Sequence, residues 1–175
     1  MLTFKKCDTN PIVYQHLFLD IVSKYSNFQI SFTDCSKSDS GVGCAFKIGL
    51  LERYFKLSFA SSIFTAELMA LIQILTKIKF LNGSKFLICS DSMCVLKSLE
   101  NIFTQHPLVQ KILILVKKLQ DLNMEIIFFW IPSHKNILGN EIVDSLAKKG
   151  CFKTKFRLHS YELFRPKKLY KRMYF

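Results

Sequence analysis

The alternation of apolar and polar positions divides the chain into a series of helices and strands. Asn10-Pro11 marks a boundary, after which Val13, Leu17 and Ile21 step round one face with Phe18 and Val22 beside it. That spacing predicts a helix from Ile12 to Tyr25, a lead-in element outside the main unit. From Phe28 the period shortens to two. Phe28, Ile30 and Phe32 share one parity and Gln29, Ser31 and Thr33 the other, which predicts a strand ending at Asp34. Cys35 to Gly41 reads as a turn. Val42 to Ile48 and Arg53 to Phe59 follow as strands joined by a short turn at Gly49, so the first three strands form an antiparallel meander.

Ser61-Ser62 caps the next helix, which runs to about Lys79 with Phe64, Leu68, Leu71, Ile72, Leu75 and Ile78 as its apolar stripe. Lys85 to Cys89 is continuously apolar, as in a strand covered on both faces. Ser90-Asp91-Ser92 opens a helix to about Leu99, and His106-Pro107 opens another to Leu122. Glu125 to Ile131 is the last strand, stopped by Pro132-Ser133-His134. A loop to Gly139 then leads to a helix from Asn140 to about Lys149, closed by Gly150. The order β-β-β-α-β-α-α-β-α predicts an α/β fold: a mixed sheet with helices on both faces.

Composition narrows the partners. The 175 residues suit one domain, and half of them are hydrophobic, including 17 Phe, so a full core is expected. No apolar run approaches the roughly 18 residues of a membrane span. Met1 to Asp8 lacks the apolar stretch of a secretory signal. The six Cys form no CxxC pairs, which favours reduced thiols in an intracellular protein, cytoplasmic or nuclear, over a zinc site. The net charge of +12 makes nucleic acid the obvious polyanionic partner, with an anionic membrane surface as the blander alternative. Arg165 to Phe175 adds a basic tail with interleaved aromatics, read as solvated or as a nucleic-acid or nuclear-import segment.

Candidate chemistry lies in four misplaced carboxylates. Asp34 falls on the apolar parity of its strand, where an unpaired charge costs several kcal/mol to bury; alone, it could simply open the turn. Glu67 has Ile63, Phe64, Ala70 and Leu71 as its helical neighbours, whereas a Glu at the edge of a core normally snorkels. Asp91 stands at the downstream end of a strand, where ligands gather in α/β sheets, although Asp is also a good helix N-cap. Asp144, beside Val143 and Ala147, passes alone for an exposed helix charge. Brought together, the four repel unless cations sit among them. Hard oxygen ligands select Mg²⁺ or Mn²⁺. Two such ions about 4 Å apart suit in-line displacement at phosphorus. In a basic chain this points to a nuclease or phosphotransferase acting on nucleic acid. His134 lies on a loop bounded by Pro and Gly. A carboxylate site holds Mg²⁺ without imidazole, so His134 is not expected to be a ligand, and an ordinary surface His is the plainer reading.

Thr33-Asp34-Cys35-Ser36-Lys37, Gly41-Val42-Gly43, Ala66-Glu67-Leu68, Ser90-Asp91-Ser92, Trp130-Ile131-Pro132-Ser133-His134 and Gly139 to Ala147 resemble, in order, the motifs of type 1 ribonucleases H. The wording of Asp34-Cys35-Ser36-Lys37 and Ile131-Pro132-Ser133-His134 is most similar to ribonuclease H domains of non-LTR retrotransposon polyproteins. The resemblance covers about Phe28 to Gly150. It implies a ribonuclease H-like fold with a five-stranded mixed sheet of order 3-2-1-4-5. It also implies hydrolysis of the RNA strand of RNA–DNA hybrids with two Mg²⁺ ions, Mn²⁺ being an alternative, leaving 3′-hydroxyl and 5′-phosphate ends. Asp34, Glu67, Asp91 and Asp144 match the metal ligands, and His134 the histidine that assists proton transfer and product release. Ser36, Ser92 and Asn140 match positions near the substrate backbone.

Two departures stand out. Cys35 replaces a usual Gly, and would be strained if the backbone there needs φ > 0. No basic protrusion lies between the Asp91 helix and the last strand, so hybrid affinity must come from elsewhere, with Lys111, Lys117, Lys118 and the tail as candidates. The expected organisation is a lead-in segment over residues 1–26, a ribonuclease H domain over 27–150 and a basic tail over 151–175. The expected molecule is a monomer, working alone or as part of a reverse-transcriptase polyprotein. The competing readings are a catalytically idle nucleic-acid-binding remnant of a retroelement, and another nuclease or integrase on the same fold.

Overall fold

Five strands form one mixed sheet in the order β3-β2-β1-β4-β5. The computed structural model describes residues 10–152. The first residues of the lead-in segment and the basic tail beyond Phe152 therefore lie outside the described residues. In chain order the elements are α1 (Pro11–Lys24), β1 (Gln29–Ser38), β2 (Gly41–Ile48), β3 (Leu51–Leu57), α2 (Ile63–Ile78), β4 (Lys85–Ser90), α3 (Met93–Ser98), α4 (Pro107–Gln120), β5 (Glu125–Trp130) and α5 (Leu138–Cys151). β1, β2 and β3 pair antiparallel, while β4 runs parallel to both β1 and β5.

Sequence chemistry sets the helix starts. The Asn10 side chain accepts from the Ile12 N–H and Pro11 occupies the first turn of α1. Ser62 Oγ accepts from the Thr65 N–H to cap α2, and Pro107 opens α4. Alternation along β4 then sorts the core onto both faces of the sheet. Phe86 and Ile88 join Phe46, Ile48 and the α2 stripe Leu68, Leu71, Ile72, Leu75 and Ile78 on one side, with Val109 and Ile112 of α4. Leu87 and Cys89 join Phe32, Ile131, Ile137 and Val143 on the other. Both faces being covered explains the unbroken apolar run of β4. Among the described residues no helix is long and apolar enough to cross a membrane.

Three local differences from the sequence pattern have physical reasons. β1 does not stop at Asp34. It continues to Ser38, because β2 supplies an antiparallel ladder from Ser31↔Ile48 to Ser38↔Gly41, leaving only Asp39-Ser40 as the turn. β3 starts at Leu51, earlier than its apolar pattern suggests, because the tight turn at Gly49-Leu50 brings Leu51 directly opposite Ile48. Finally, α1 rests on the sheet: the Phe18 and Phe32 rings lie 5.9 Å apart, and Gln15 Nε2 donates to the Lys135 carbonyl at 3.3 Å.

Gly150 is no helix terminator. α5 continues through it to Cys151, and the glycine serves close packing. A Cβ there would lie 2.7 Å from the Phe55 carbonyl oxygen and 3.2 Å from Gly43 Cα. Gly43 mirrors it, since its added Cβ would run into the Ala147 carbonyl and lie 2.7 Å from the Cys151 nitrogen. Both obstacles are backbone and cannot rotate away. Gly43→Ala is therefore expected to destabilise the fold by about 3 kcal/mol, at the upper end of overpacking costs. A urea midpoint unchanged from wild type would show that α5 is not seated as described.

Candidate active site

The parallel register of β1 and β4 ends at the pair Thr33↔Ser90. Asp34 and Asp91 are the next residue on each strand, so the two carboxylates emerge side by side at the carboxyl edge where the strands part. The Trp130 indole N–H donates to the Asp91 carbonyl at 3.1 Å and ties this corner to the end of β5. Glu67 reaches the same place from α2, in the turn that follows the Ser62 cap. One carboxylate oxygen from each of Asp34, Glu67 and Asp91 lies within 4.8 Å of the others.

These groups crowd one another in a dry place. Asp34 is 6% and Glu67 5% exposed. Burial, then Asp91, then Glu67 push the Asp34 carboxyl up to about 8, against the pull of a 2.6 Å hydrogen bond donated by the Cys35 N–H. Burial pushes Glu67 up to about 7, with Asp91 adding to the rise and the Cys35 thiol opposing it. Glu67 Oε1 accepts from Cys35 Sγ at 3.2 Å, while Oε2 is buried without a hydrogen-bond partner. Burial pushes the Cys35 thiol far above its ordinary range, with Glu67 adding to the rise, so the sulfur keeps its proton. A cluster of oxygen donors with an unsatisfied buried carboxylate oxygen fits a hard divalent cation such as Mg²⁺ or Mn²⁺. Asp34, Glu67 and Asp91 would hold it.

Asp144 lies one step out. Its side chain is 15% exposed and its Oδ2 is 2.6 Å from Lys148 Nζ, one helical turn along α5. Its charge still reaches Asp34 and contributes to that carboxyl's upward shift. The lysine offsets its charge. Asp144 instead groups with His134 and Glu141, whose ligand atoms also lie within 4.8 Å of one another.

His134 is on a loop, exposed, with φ +54, a backbone region that non-glycine residues rarely occupy and that clusters at functional sites. The loop is held from α5, where Glu141 Oε1 accepts from the Asn136 N–H at 3.2 Å. Sequence reasoning passed over Glu141. The available signal was its place three residues before Asp144, on the same helix face.

The remaining expected residues differ in access. Ser36 is half-buried on β1, and its carbonyl accepts from Cys151 Sγ at 3.4 Å. Ser92 is half-buried at the start of α3 and makes no side-chain cap. Asn140 is only 2% exposed, and its Oδ1 is buried without a partner. Cys35 lies in β1 opposite Cys44 and is not among the residues with positive φ, so the feared strain is absent. Lys111, Lys117 and Lys118 all lie on α4, with Lys117 paired to Asp121 at 2.8 Å.

Comparison with known proteins bears on this arrangement. The sequence profile of the RNase H family matches residues 27–152. The chain belongs to the ribonuclease H family. Solved ribonucleases H share the fold. The N-terminal ribonuclease H domain of a Mycobacterium tuberculosis protein, solved as a fusion with maltose-binding protein, is 19% identical with a TM-score of 0.56, over 70% of this chain and 94% of that one. Ribonuclease H1 of the archaeon Halobacterium salinarum is 20% identical with a TM-score of 0.53, over 70% and 96%. LC11 ribonuclease H1, solved in complex with an RNA/DNA hybrid, is 18% identical with a TM-score of 0.53, over 69% and 96%. No curated protein matches the chain.

Proposed function

We propose that this ribonuclease H hydrolyses the RNA strand of RNA–DNA hybrids with two divalent metal ions, Mg²⁺ or Mn²⁺. The observation that carries the reading is the convergence of Asp34, Glu67 and Asp91, two of them buried and pushed well above the usual carboxylate range, at one corner of the sheet. Such crowding costs stability and is relieved by cations.

Bound ions would supply the positive charge that in-line displacement at phosphorus requires. The chain's own residues do the rest. Asp34, Glu67 and Asp91 would hold one cation. Asp144, released from Lys148, contributes to a second. Water attacks phosphorus, giving up a proton to solvent, as the P–O3′ bond breaks; His134, exposed beside Asp144, passes a proton to the departing 3′ oxygen, so that a 5′-phosphate and a 3′-hydroxyl remain. Ser36 and Ser92, half-buried beside the carboxylates, donate hydrogen bonds to the sugar–phosphate backbone, with Asn140, its Oδ1 buried and unpartnered, beside them. The wording around Asp34 and His134 supports an origin in a non-LTR retrotransposon polyprotein.

The test is cleavage of labelled hybrid, duplex DNA and duplex RNA in the presence of Mg²⁺. Hybrid alone should be cut, in its RNA strand. Binding without cleavage of any of the three would favour an idle nucleic-acid-binding remnant. Affinity for hybrid should also fall steeply with salt, because a chain of charge +12 displaces counterions from phosphates. It should exceed affinity for duplex DNA, which lacks the 2′-hydroxyls. Equal affinities across a salt series would mark a general basic binder.

A further inference from the structure

We propose that Cys35 is a positioning residue for the metal site: its thiol donates to Glu67 Oε1 and so leaves Oε2 as the atom offered to a cation. The proposal rests on the reading of Asp34, Glu67 and Asp91 as a metal site.

The geometry follows from strand alternation. Successive side chains on β1 point to opposite faces, so Cys35 turns away from Asp34 and toward α2, where it packs beside Ala66 and Ala70. There Sγ lies 3.2 Å from Glu67 Oε1 and 3.7 Å from the Ile63 carbonyl. The carboxylate is the nearer acceptor, and the protonated thiol has one hydrogen to give. Glu67 has rotatable bonds enough to turn either oxygen into the cluster. The sulfur contact breaks that symmetry. Oε1 is engaged from β1, and Oε2 is left buried with no partner. An apolar side chain at this position would fill the same space and leave Oε1 dry as well. A glycine would leave room for water. In this chain the thiol takes the place such a water would hold, and a fixed donor orients a ligand better than an exchanging one.

Groups that orient a metal ligand from behind typically contribute 10- to 100-fold in metal affinity. A neutral S–H is a weak donor, so the expected contribution is about tenfold, at the low end of that range. The experiment is Mn²⁺ binding to the full chain, read by calorimetry and by the Mn²⁺ spin-resonance signal, without nucleic acid. Wild type is compared with Cys35→Val, which fills the space without a donor, with Cys35→Ser, which keeps a donor, and with Glu67→Gln. Cys35→Ala repeats the donor removal without added bulk, in case valine disturbs the fold. Cys35→Val and Cys35→Ala should each weaken Mn²⁺ by about tenfold, and Cys35→Ser should restore most of the loss.

Equal affinity in wild type, Val and Ala variants, with Glu67→Gln weakened, would overturn the role of Cys35 and leave the metal site standing. An equal loss in Ser, Val and Ala would also overturn it, since the effect would then be one of shape. Absence of any Mn²⁺ binding by wild type would remove the metal-site reading itself, and this proposal with it.

Discussion

Asp34→Asn is expected to lower kcat on RNA–DNA hybrid by about 10³-fold or more, at or beyond the cost of losing one preorganised electrostatic group, while making the metal-free protein harder to unfold. The two effects share one cause. Folding takes the Asp34 carboxyl out of water beside Glu67 and Asp91 and raises it to about 8. The folded, metal-free protein thus keeps a proton that the unfolded chain gives up near 3.8. Stability from this group is fully present below the unfolded value and is lost as pH climbs to the folded one; Glu67, raised to about 7, acts in the same sense. Asparagine cannot ionise, and its side-chain oxygen can still accept from the Cys35 N–H, which Asp34 Oδ1 meets at 2.6 Å. In chelator, the variant should melt well above wild type at pH 8 and close to it near pH 4. Identical melting at both ends, or full activity with Mg²⁺, would defeat the account of Asp34.

Replacing His134 with alanine should cost about 10²-fold in kcat, in the lower part of the range for general acid–base help. The Mg²⁺ concentration at half-activity should hardly move. An imidazole ordinarily titrates near neutrality and suits proton transfer. The side chain is exposed on its loop, near Asp144 but outside the trio Asp34, Glu67 and Asp91. Because His134 sits at φ +54, alanine there keeps the backbone strain, and His134→Gly separates the two contributions. Glycine should lose the same activity and relieve the strain. A Mg²⁺ titration decides the role: a large rise in metal requirement with kcat preserved would make His134 a ligand or a structural support.

Much of this was readable before any coordinates, because local chemistry and tertiary packing agree. The period-two pattern around Phe32, the stripe of α2 and the all-apolar β4 name their own elements, and the motif order around the four carboxylates names the fold. What stayed hidden depends on partners distant in sequence. Ser36 to Ser38 look like a turn, yet Gly41 to Gly43 provide a ladder for them. Gly150 looks like a helix stop until Phe55 and Gly43 are seen against it. Cys35 looks like a backbone problem, and only the approach of α2 shows it to be a partner of Glu67. Asn140 is a polar residue at the start of a helix, and only the fold shows it to be buried. The Lys148–Asp144 contact has the right helical spacing to be foreseen; that Asp144 also comes within reach of His134 and Glu141 is not visible in that spacing.

The seating of α5 has a consequence for where inactivating substitutions should fall. At one end the helix lies against β2 and β3 through Gly150 and Gly43; near the other, a Cβ on Gly139 would strike the Phe32 ring. Asp144 sits between these two clamps, about 8 Å from one and 9 Å from the other along the axis at 1.5 Å per residue. It borrows its placement from both. A bar pinned at its ends moves at its middle when either pin is shimmed. Small side chains introduced at Gly139 or Gly150 should therefore register in a mutational scan as lost turnover even in those copies that still fold.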